Sequence, residues 1–487
     1  MLEFSNTYSE LPDRFFAHVK PTLVPAPKML KFNHALADEL GLDGAMLDSA
    51  EGAAIFSGNK VLEGTHPIAM AYAGHQFGGF VPQLGDGRAI LLGEVIDRNG
   101  IRRDIQLKGA GRTPYSRGGD GRAAVGPVLR EYLVSEAMHA LGVPTTRALA
   151  AVATGDDVHR ETVLPGAVLT RVAASHIRVG TFQFFAARGD VEGLKSLADY
   201  VIQRLYPELE GSGPPYLALL NAVADRQAAL VARWMHVGFI HGVMNTDNSS
   251  ISGETIDFGP CAFMDAYDPA TVFSSIDRGG RYQYQNQPGI MQWNLARLAE
   301  TLLPLIDEDS ERAVETANQV VIDYAGAFQQ YWLAGLRLKI GLHTNEDADG
   351  EFVQALLSLM HQDAVDWTSA FRALGNSAGG DDMPFWSLFK DRAAADKWLA
   401  EWRARLSREP GFDEQRAAGM DNVNPVYIPR NHLVEEALAA AINEDDLGPF
   451  ERMNAVLSKP YEEQPGAERY TEPAPGDRAP YRTFCGT

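Results

Sequence analysis

The sequence predicts an α+β protein in which a small β-rich N-terminal lobe precedes a large helical C-terminal lobe. Two apolar runs of strand length, residues 89–96 and 163–172, lie in the first 180 residues. From about residue 193 onward, apolar positions recur at helical spacing instead. The length of 487 residues exceeds what one hydrophobic core usually serves, so more than one unit is expected. Composition adds exclusions. With 45% apolar and 22% charged residues, the chain reads as an ordinary globular protein. A net charge of −21 repels polyphosphate, so nucleic acid is not an expected partner. No apolar stretch is long enough to span a membrane. Two cysteines, Cys261 and Cys485, rule out a disulfide framework or a cysteine zinc cage. No signal peptide is read in MLEFSNTYSELPDRFF, and a cytoplasmic protein is expected.

Taken in order, residues 1–60 read as a lead-in with a short helix over 32–41. Residues 66–88 are rich in Gly, Gln and aromatics and predict loops and tight turns. The run 89–96, the Arg98-Asn99-Gly100 turn and the alternation over 101–108 predict a hairpin. A Gly/Arg-rich stretch, 109–122, leads to a helix that starts near Pro127 and ends at Gly142 before Pro144. Helices are predicted over 193–206, 216–237, 312–339, 352–361, 385–406 and 433–442. Five prolines in the last thirty residues predict an extended tail.

Three local patterns carry chemistry. Gly85-Asp86-Gly87-Arg88 places glycines where backbone N–H groups approach an anion, although an ordinary tight turn has the same composition. Ile105-Gln106-Leu107-Lys108 ends an apolar strand on a lysine, as in the V-A-I-K strand of protein kinases; a solvated charge is the alternative. Its helix partner is Glu131 or Glu136, and periodicity does not choose between them. His241 and Asn248 keep the spacing of the kinase H-R-D-x-x-x-x-N loop, and Asp257-Phe258-Gly259 follows. Val243 stands where the catalytic-base Asp belongs, while an acid stands at Asp247. Eight Lys/Arg against two acids between Arg98 and Arg130 suggest a polyanion pocket. His75 reads as a structural histidine, with ligand contact as the alternative.

Longer segments resemble the selenoprotein O family: Tyr72-Ala73-Gly74-His75-Gln76-Phe77-Gly78, Pro82 through Ala89, Leu107 through Gly111, Gly119 through Ala123 and Arg130-Glu131. Gly242 through Asn248, Gln287-Pro288 with Trp293-Asn294-Leu295, and Asn424-Pro425 with Ile428 through His432 extend the resemblance to most of the chain. It implies a protein-kinase-like bilobal fold, once filed among pseudokinases, and AMP transfer from ATP to protein Ser, Thr or Tyr hydroxyls. It also implies a flipped nucleotide that presents its α-phosphate to the acceptor. Gly85, Gly87, Arg88, Lys108, Asp120, Gly121, Arg171, Arg178 and Asp257 would bind ATP. Asn248 and Asp257 would hold Mg²⁺, with Mn²⁺ and UTP left open, Asp247 would accept the proton and Glu131 would orient Lys108. The expected division is an extension over 1–60, a nucleotide-binding lobe over 61–180, a helical lobe with the catalytic and metal motifs over 181–458, and a tail over 459–487. Cys485 in that tail is expected to be a redox handle, with Cys261 its only possible intrachain partner. Two other readings remain: a small-molecule phosphotransferase, and a nucleotide-binding scaffold without turnover.

Overall fold

The computed structural model describes residues 3–211, 213–409, 415–476 and 481–483. Ten strands lie in its first third: β1 (Phe16–His18), β2 (Lys28–Phe32), β3 (Ile68–Met70), β4 (Gly74–Gln76), β5 (Gly79–Val81), β6 (Ala89–Ile96), β7 (Arg102–Lys108), β8 (Ala123–Ala124), β9 (Arg147–His159) and β10 (Val163–Ala173). The principal sheet has the order β1-β3-β6-β7-β10-β9-β2, with β8 beside β10. All its pairs are antiparallel. β4 and β5 form a separate hairpin, and β11 (Phe239–Ile240) pairs with β12 (Ala262–Phe263) inside the helical part. The chain is thus β-rich at its N-terminal end and helical afterwards, as its periodicity predicts.

The β6–β7 hairpin forms where expected, and its turn is closed by the Asp97 carboxylate, which accepts from the backbone of Asn99 and Ile101. The helix Val125–Ala140 and strand β10 also match. Two expectations fail in the same way. The stretch 66–88 holds three short strands, and the lead-in supplies β1 and β2, the two edges of the sheet. β9 is not visible in the sequence, because its RALAAVATGDDVH is alanine-rich and lacks alternation. It becomes a strand because β10 and β2 hydrogen-bond to its two edges.

In the helical part, the 193–206, 216–237, 312–339, 352–361 and 433–442 patterns appear as Val191–Leu205, Pro215–His236, Ser310–Lys339, Asp349–Asp363 and Asn431–Asn443. The 385–406 pattern is split into Met383–Trp386 and Arg392–Leu406, because Asp391 caps the second helix through Ala394 N. The helix Gln287–Ile306 escapes the periodic reading. Pro288 and Pro304 look like breakers, but the first occupies the opening turn, where its missing N–H costs nothing. The expected extended tail contains a short 3₁₀ turn, Glu468–Tyr470, and lies against the chain through Val426 N and the Pro460 carbonyl. No helix among the described residues is long and apolar enough to cross a membrane.

Candidate active site

The site forms where the end of β7, the helix Val125–Ala140, the end of β10 and the loop after β11 converge. Lys108 closes β7, opposite Leu169 of β10. Its Nζ lies 2.6 Å from Glu131 Oε2 and 3.4 Å from Asp257 Oδ1. The choice between the two helix carboxylates is therefore resolved by geometry. Glu136 faces the other way and binds Arg147 and the Ala148 backbone. Arg171 on β10 is 2% exposed and bridges Glu131 Oε1 and Asp257 Oδ1. Arg178, just before the helix Val179–Ala186, sends Nη1 to the Asp247 carbonyl at 2.7 Å and to Asp257 Oδ2 at 3.0 Å. Its guanidinium lies 4.6 Å from the Tyr72 ring centroid.

Three cations thus surround one carboxylate. Burial alone would push the Asp257 carboxyl up. Arg171, Arg178 and Lys108 overturn that effect and hold it well below its usual range. Burial, aided by the neighbouring Arg171 guanidinium, pushes the Lys108 ammonium below its ordinary value. Asp257 adopts φ 65°, a left-handed conformation uncommon outside glycine and tolerated by Asp more readily than by most residues. Such a charged, desolvated cluster is costly to build for stability alone, and it concentrates positive charge in a form that suits an anion.

Asp247 sits in the 3₁₀ turn Thr246–Asn248 and is nearly buried. Burial pushes its carboxyl up to about 6. Oδ2 accepts from Gln76 Nε2 at 3.1 Å, whereas Oδ1 is buried without a hydrogen-bond partner among the described residues. The β4–β5 hairpin is stitched to this turn. His75 N donates to Thr246 Oγ1 at 2.7 Å, and Phe77 N donates to Asn245 Oδ1 at 3.0 Å. Gly74 is glycine for a local reason, since a Cβ there would sit 2.7 Å from Asp247 Oδ1. Gln76 was not singled out in the sequence, because its partner lies 171 residues away. His75 contacts Gln183 at 2.8 Å and reads as structural.

The remaining predicted residues divide. Asn248 donates Nδ2 to the Val243 carbonyl at 2.9 Å, which leaves its amide oxygen as the ligand-type atom. Asn248 and Asp257 are hard oxygen donors, as Mg²⁺ or Mn²⁺ requires. Among the described residues no group of three or more His, Cys, Asp or Glu is placed to hold a metal ion. The donor set therefore suits an ion that takes its other ligands from nucleotide phosphates and water. Gly85, at φ 77°, and Gly87 lie against Tyr115, where a Cβ would meet the ring at 2.3 Å and the Tyr115 carbonyl at 2.9 Å. Between them Asp86 turns inward, accepting from Met70 N at 3.1 Å and Gln106 Nε2 at 3.3 Å. Arg88 lines, with Lys108, Pro127, Leu169 and Leu438, a cavity of about 530 Å³ beside the cluster. Asp120 is held by Arg160 at 2.8 and 3.1 Å and lies outside the Lys108 cluster. Gly121, at φ 70°, packs against the Gly111 carbonyl.

The basic stretch 98–130 assembles only in part, with Lys108 and Arg130 lining the cavity beside Arg88. Arg98, Arg102, Arg103, Arg122 and Arg130 pair with Asp38, Glu94, Asp97, Asp156 and Glu435, and only Lys108 of that run joins the cluster. A local charge count misses acids that arrive from distant segments. Cys261 is buried, its Sγ 3.2 Å from the Phe258 carbonyl, and burial pushes its thiol up to about 11. Cys485 lies outside the described residues. The C-terminal motifs act as braces. Asn294 Nδ2 donates to the Met244 carbonyl at 3.0 Å, Asn431 bonds the Phe263 backbone, and Arg430 pairs with Asp265 and Asp366.

The family described as "Protein adenylyltransferase SelO" matches residues 1–458. A protein of Rhizobium rhizogenes named "Protein nucleotidyltransferase YdiU" is 65% identical over 489 aligned residues, covering 100% of this chain and 97% of the relative. Proteins of the same name from Rhizobium meliloti (64% identical, 99% of each chain) and Agrobacterium fabrum (61%, 100% of each) are similar throughout. A lysine–glutamate pair under a buried arginine, a D-F-G aspartate and a buried carboxylate at position 247 thus occur in a chain that belongs to the SelO family of protein adenylyltransferases.

Proposed function

We propose that this protein transfers AMP from ATP to Ser, Thr or Tyr hydroxyls of acceptor proteins and releases pyrophosphate, working from a kinase-like two-lobed frame. The observation that carries the reading is the placement of Asp247, a nearly buried carboxylate raised to about 6, beside an Asp257 wrapped by Lys108, Arg171 and Arg178. A carboxylate poised near neutral pH suits a general base. The cations suit a pyrophosphate leaving group.

In this reading the acceptor oxygen attacks the α-phosphorus and its proton passes to Asp247. The bond from the α-phosphorus to the α–β bridging oxygen breaks, and pyrophosphate leaves against Lys108, Arg171 and Arg178. Glu131 orients Lys108. Asn248 and Asp257 would hold Mg²⁺ or Mn²⁺, which neutralises phosphate charge when bound. Gly85, Gly87, Arg88, Asp120 and Gly121 would complete the nucleotide contacts, and the cavity beside Arg88 and Lys108 has room for a nucleoside. The lobes would span about 61–180 and 181–458, flanked by an N-terminal extension and a Pro-rich tail. Cys485 would be a redox handle outside the chemistry, so Cys485→Ser should keep full activity in reductant.

The test follows the label. Purified protein with ATP and Mg²⁺ or Mn²⁺ should label itself or an acceptor from α-³²P-ATP, with a mass gain of one AMP and release of pyrophosphate. Label from γ-³²P-ATP alone would make it a phosphotransferase, and label from neither would leave a scaffold. α-³²P-UTP run in parallel decides the preferred nucleotide.

A further inference from the structure

The acceptor must bring a hydroxyl to Asp247, and the surface beside that carboxylate has a distinctive chemistry. Gln76 of β4 holds Asp247, and the next residue, Phe77, turns outward at φ 51°. Phe77 and Gly78, at φ 51° and 85°, are the two central residues of the β4–β5 turn, and a tight two-residue hairpin requires that conformation, which sets the Phe77 side chain at its tip. Phe77 is 39% exposed and Phe80, across the hairpin, is 41% exposed. Their rings rest on a built base rather than on empty solvent. Phe77 meets Tyr282 edge-on at 5.1 Å, and Phe80 lies 4.9 Å from His75, which in turn meets Trp293 at 5.2 Å. Ile276, 54% exposed, adds apolar surface from the adjoining turn.

Two arginines of that turn have no carboxylate partner among the described residues, although Arg281 stacks on the Tyr282 and Trp293 rings. The Arg281 guanidinium lies 4.9 Å from the Trp293 ring centroid, close to the hairpin tip at Gly78. Arg278 is exposed. Among the described residues no carboxylate lies within ion-pair distance of either. The acid between them, Asp277, is committed to the backbone N–H groups of Arg281 at 2.9 Å and Tyr282 at 2.7 Å. Arg297, also stacked on Trp293, is already paired with Glu300 at 2.6 Å. In a chain of net charge −21, two arginines that meet no carboxylate among the described residues, beside an outward aromatic tip, suit carboxylates of a partner.

We propose that this face, formed by Phe77, Phe80, Ile276, Arg278 and Arg281, docks the acceptor protein through an acidic segment in which the modified hydroxyl is flanked by carboxylates and an apolar side chain. The proposal rests on Asp247 being the proton acceptor. The aromatic tip would cover the apolar side chain, and the two guanidiniums would take the carboxylates.

Two synthetic peptides test it, each carrying one tyrosine and one leucine, flanked by glutamates in one and by lysines in the other. Transfer from α-³²P-ATP is measured for each, alongside self-labelling and pyrophosphate release without peptide. The wild type should modify the glutamate peptide with a KM roughly tenfold below that of the lysine peptide. Phe80→Ala, and Arg278→Ala with Arg281→Ala, should each raise that KM roughly tenfold and leave kcat, self-labelling and pyrophosphate release unchanged. Arg278→Glu with Arg281→Glu should reverse the preference. Equal KM values for the two peptides, an unchanged KM in the variants, or no peptide labelled by a wild type that labels itself would each overturn the docking face alone. Variants that also lose pyrophosphate release would mark these side chains as structural and overturn it too. A wild type that neither labels itself nor releases pyrophosphate would sink the adenylyl-transfer reading and the docking face with it.

Discussion

At the scale of single residues, the candidate site holds two carboxylates shifted in opposite directions. Asp257 stays charged because three cations outweigh its burial, whereas Asp247 is lifted to about 6 because burial outweighs Gln76 and Arg178. In the proposed mechanism Asp257→Ala would remove a metal-holding carboxylate together with the partner of Arg171 and Arg178. Transfer from α-³²P-ATP should fall by roughly 10²–10³-fold. A variant that kept more than half its rate with metal bound as before would exclude Asp257 as the ligand. Asp247 must be deprotonated to accept a proton, so the rate should fall as pH drops through about 6. Gln76 donates to the carboxylate and so favours its charged form. Gln76→Ala should therefore move the acid limb of the pH–rate profile upward and lower the rate at pH 7. A profile that kept its limb while the rate dropped would mark Gln76 as a packing residue.

At the scale of elements, close approaches between segments far apart in sequence keep the catalytic turn in place. Gly180, in the first turn of the helix Val179–Ala186, lies under the segment that leads into β4, and a Cβ there would come 2.1 Å from the Ala73 carbonyl. Backbone cannot swing aside as a side chain can. Gly180→Ala should thus cost about 1–3 kcal/mol of stability and reduce turnover, read by thermal melting and by α-phosphate transfer. In the helical part, Gly335 of Ser310–Lys339 gives room to His236 of Pro215–His236, whose ring would lie 2.0 Å from an added Cβ. Gly335→Ala should lower the melting temperature while leaving the pH profile of transfer unmoved, because it touches helix packing and not Asp247.

At the scale of the whole molecule, one buried cation stands apart from the site. Lys339 is 4% exposed, lies 4.5 Å from the Phe371 ring, and is pushed down to about 7 by burial. Its folded-state pKa is lower than its unfolded value of 10.5, so the unfolded chain binds more protons between about pH 7 and 10.5. Stability from this group should therefore rise with pH across that window and be lowest where Lys339 must be charged in both states. Lys339→Met keeps much of the volume and removes the desolvated charge. It should raise the melting temperature at pH 7 and flatten its pH dependence over that range. An unchanged slope would mean that the ammonium reaches water in the folded protein.

The residues alone determined the class of the fold, the β6–β7 hairpin and most long helices, and marked Lys108, Asp247, Asn248 and Asp257 as candidates, because periodicity and short motifs are local properties. Only the tertiary structure decided the rest. β9 is a strand through pairing on its two edges, and Glu131 rather than Glu136 meets Lys108 because of how one helix is rotated against the sheet. The cations of the 98–130 run are dispersed by acids as distant as Glu435, while Arg171 and Arg178 converge on Asp257 from 86 and 79 residues away. The hold of Gln76 on Asp247 spans 171 residues. Charge, burial and hydrogen bonding act through space, so which side chains share a site is set by the packing of the elements that carry them.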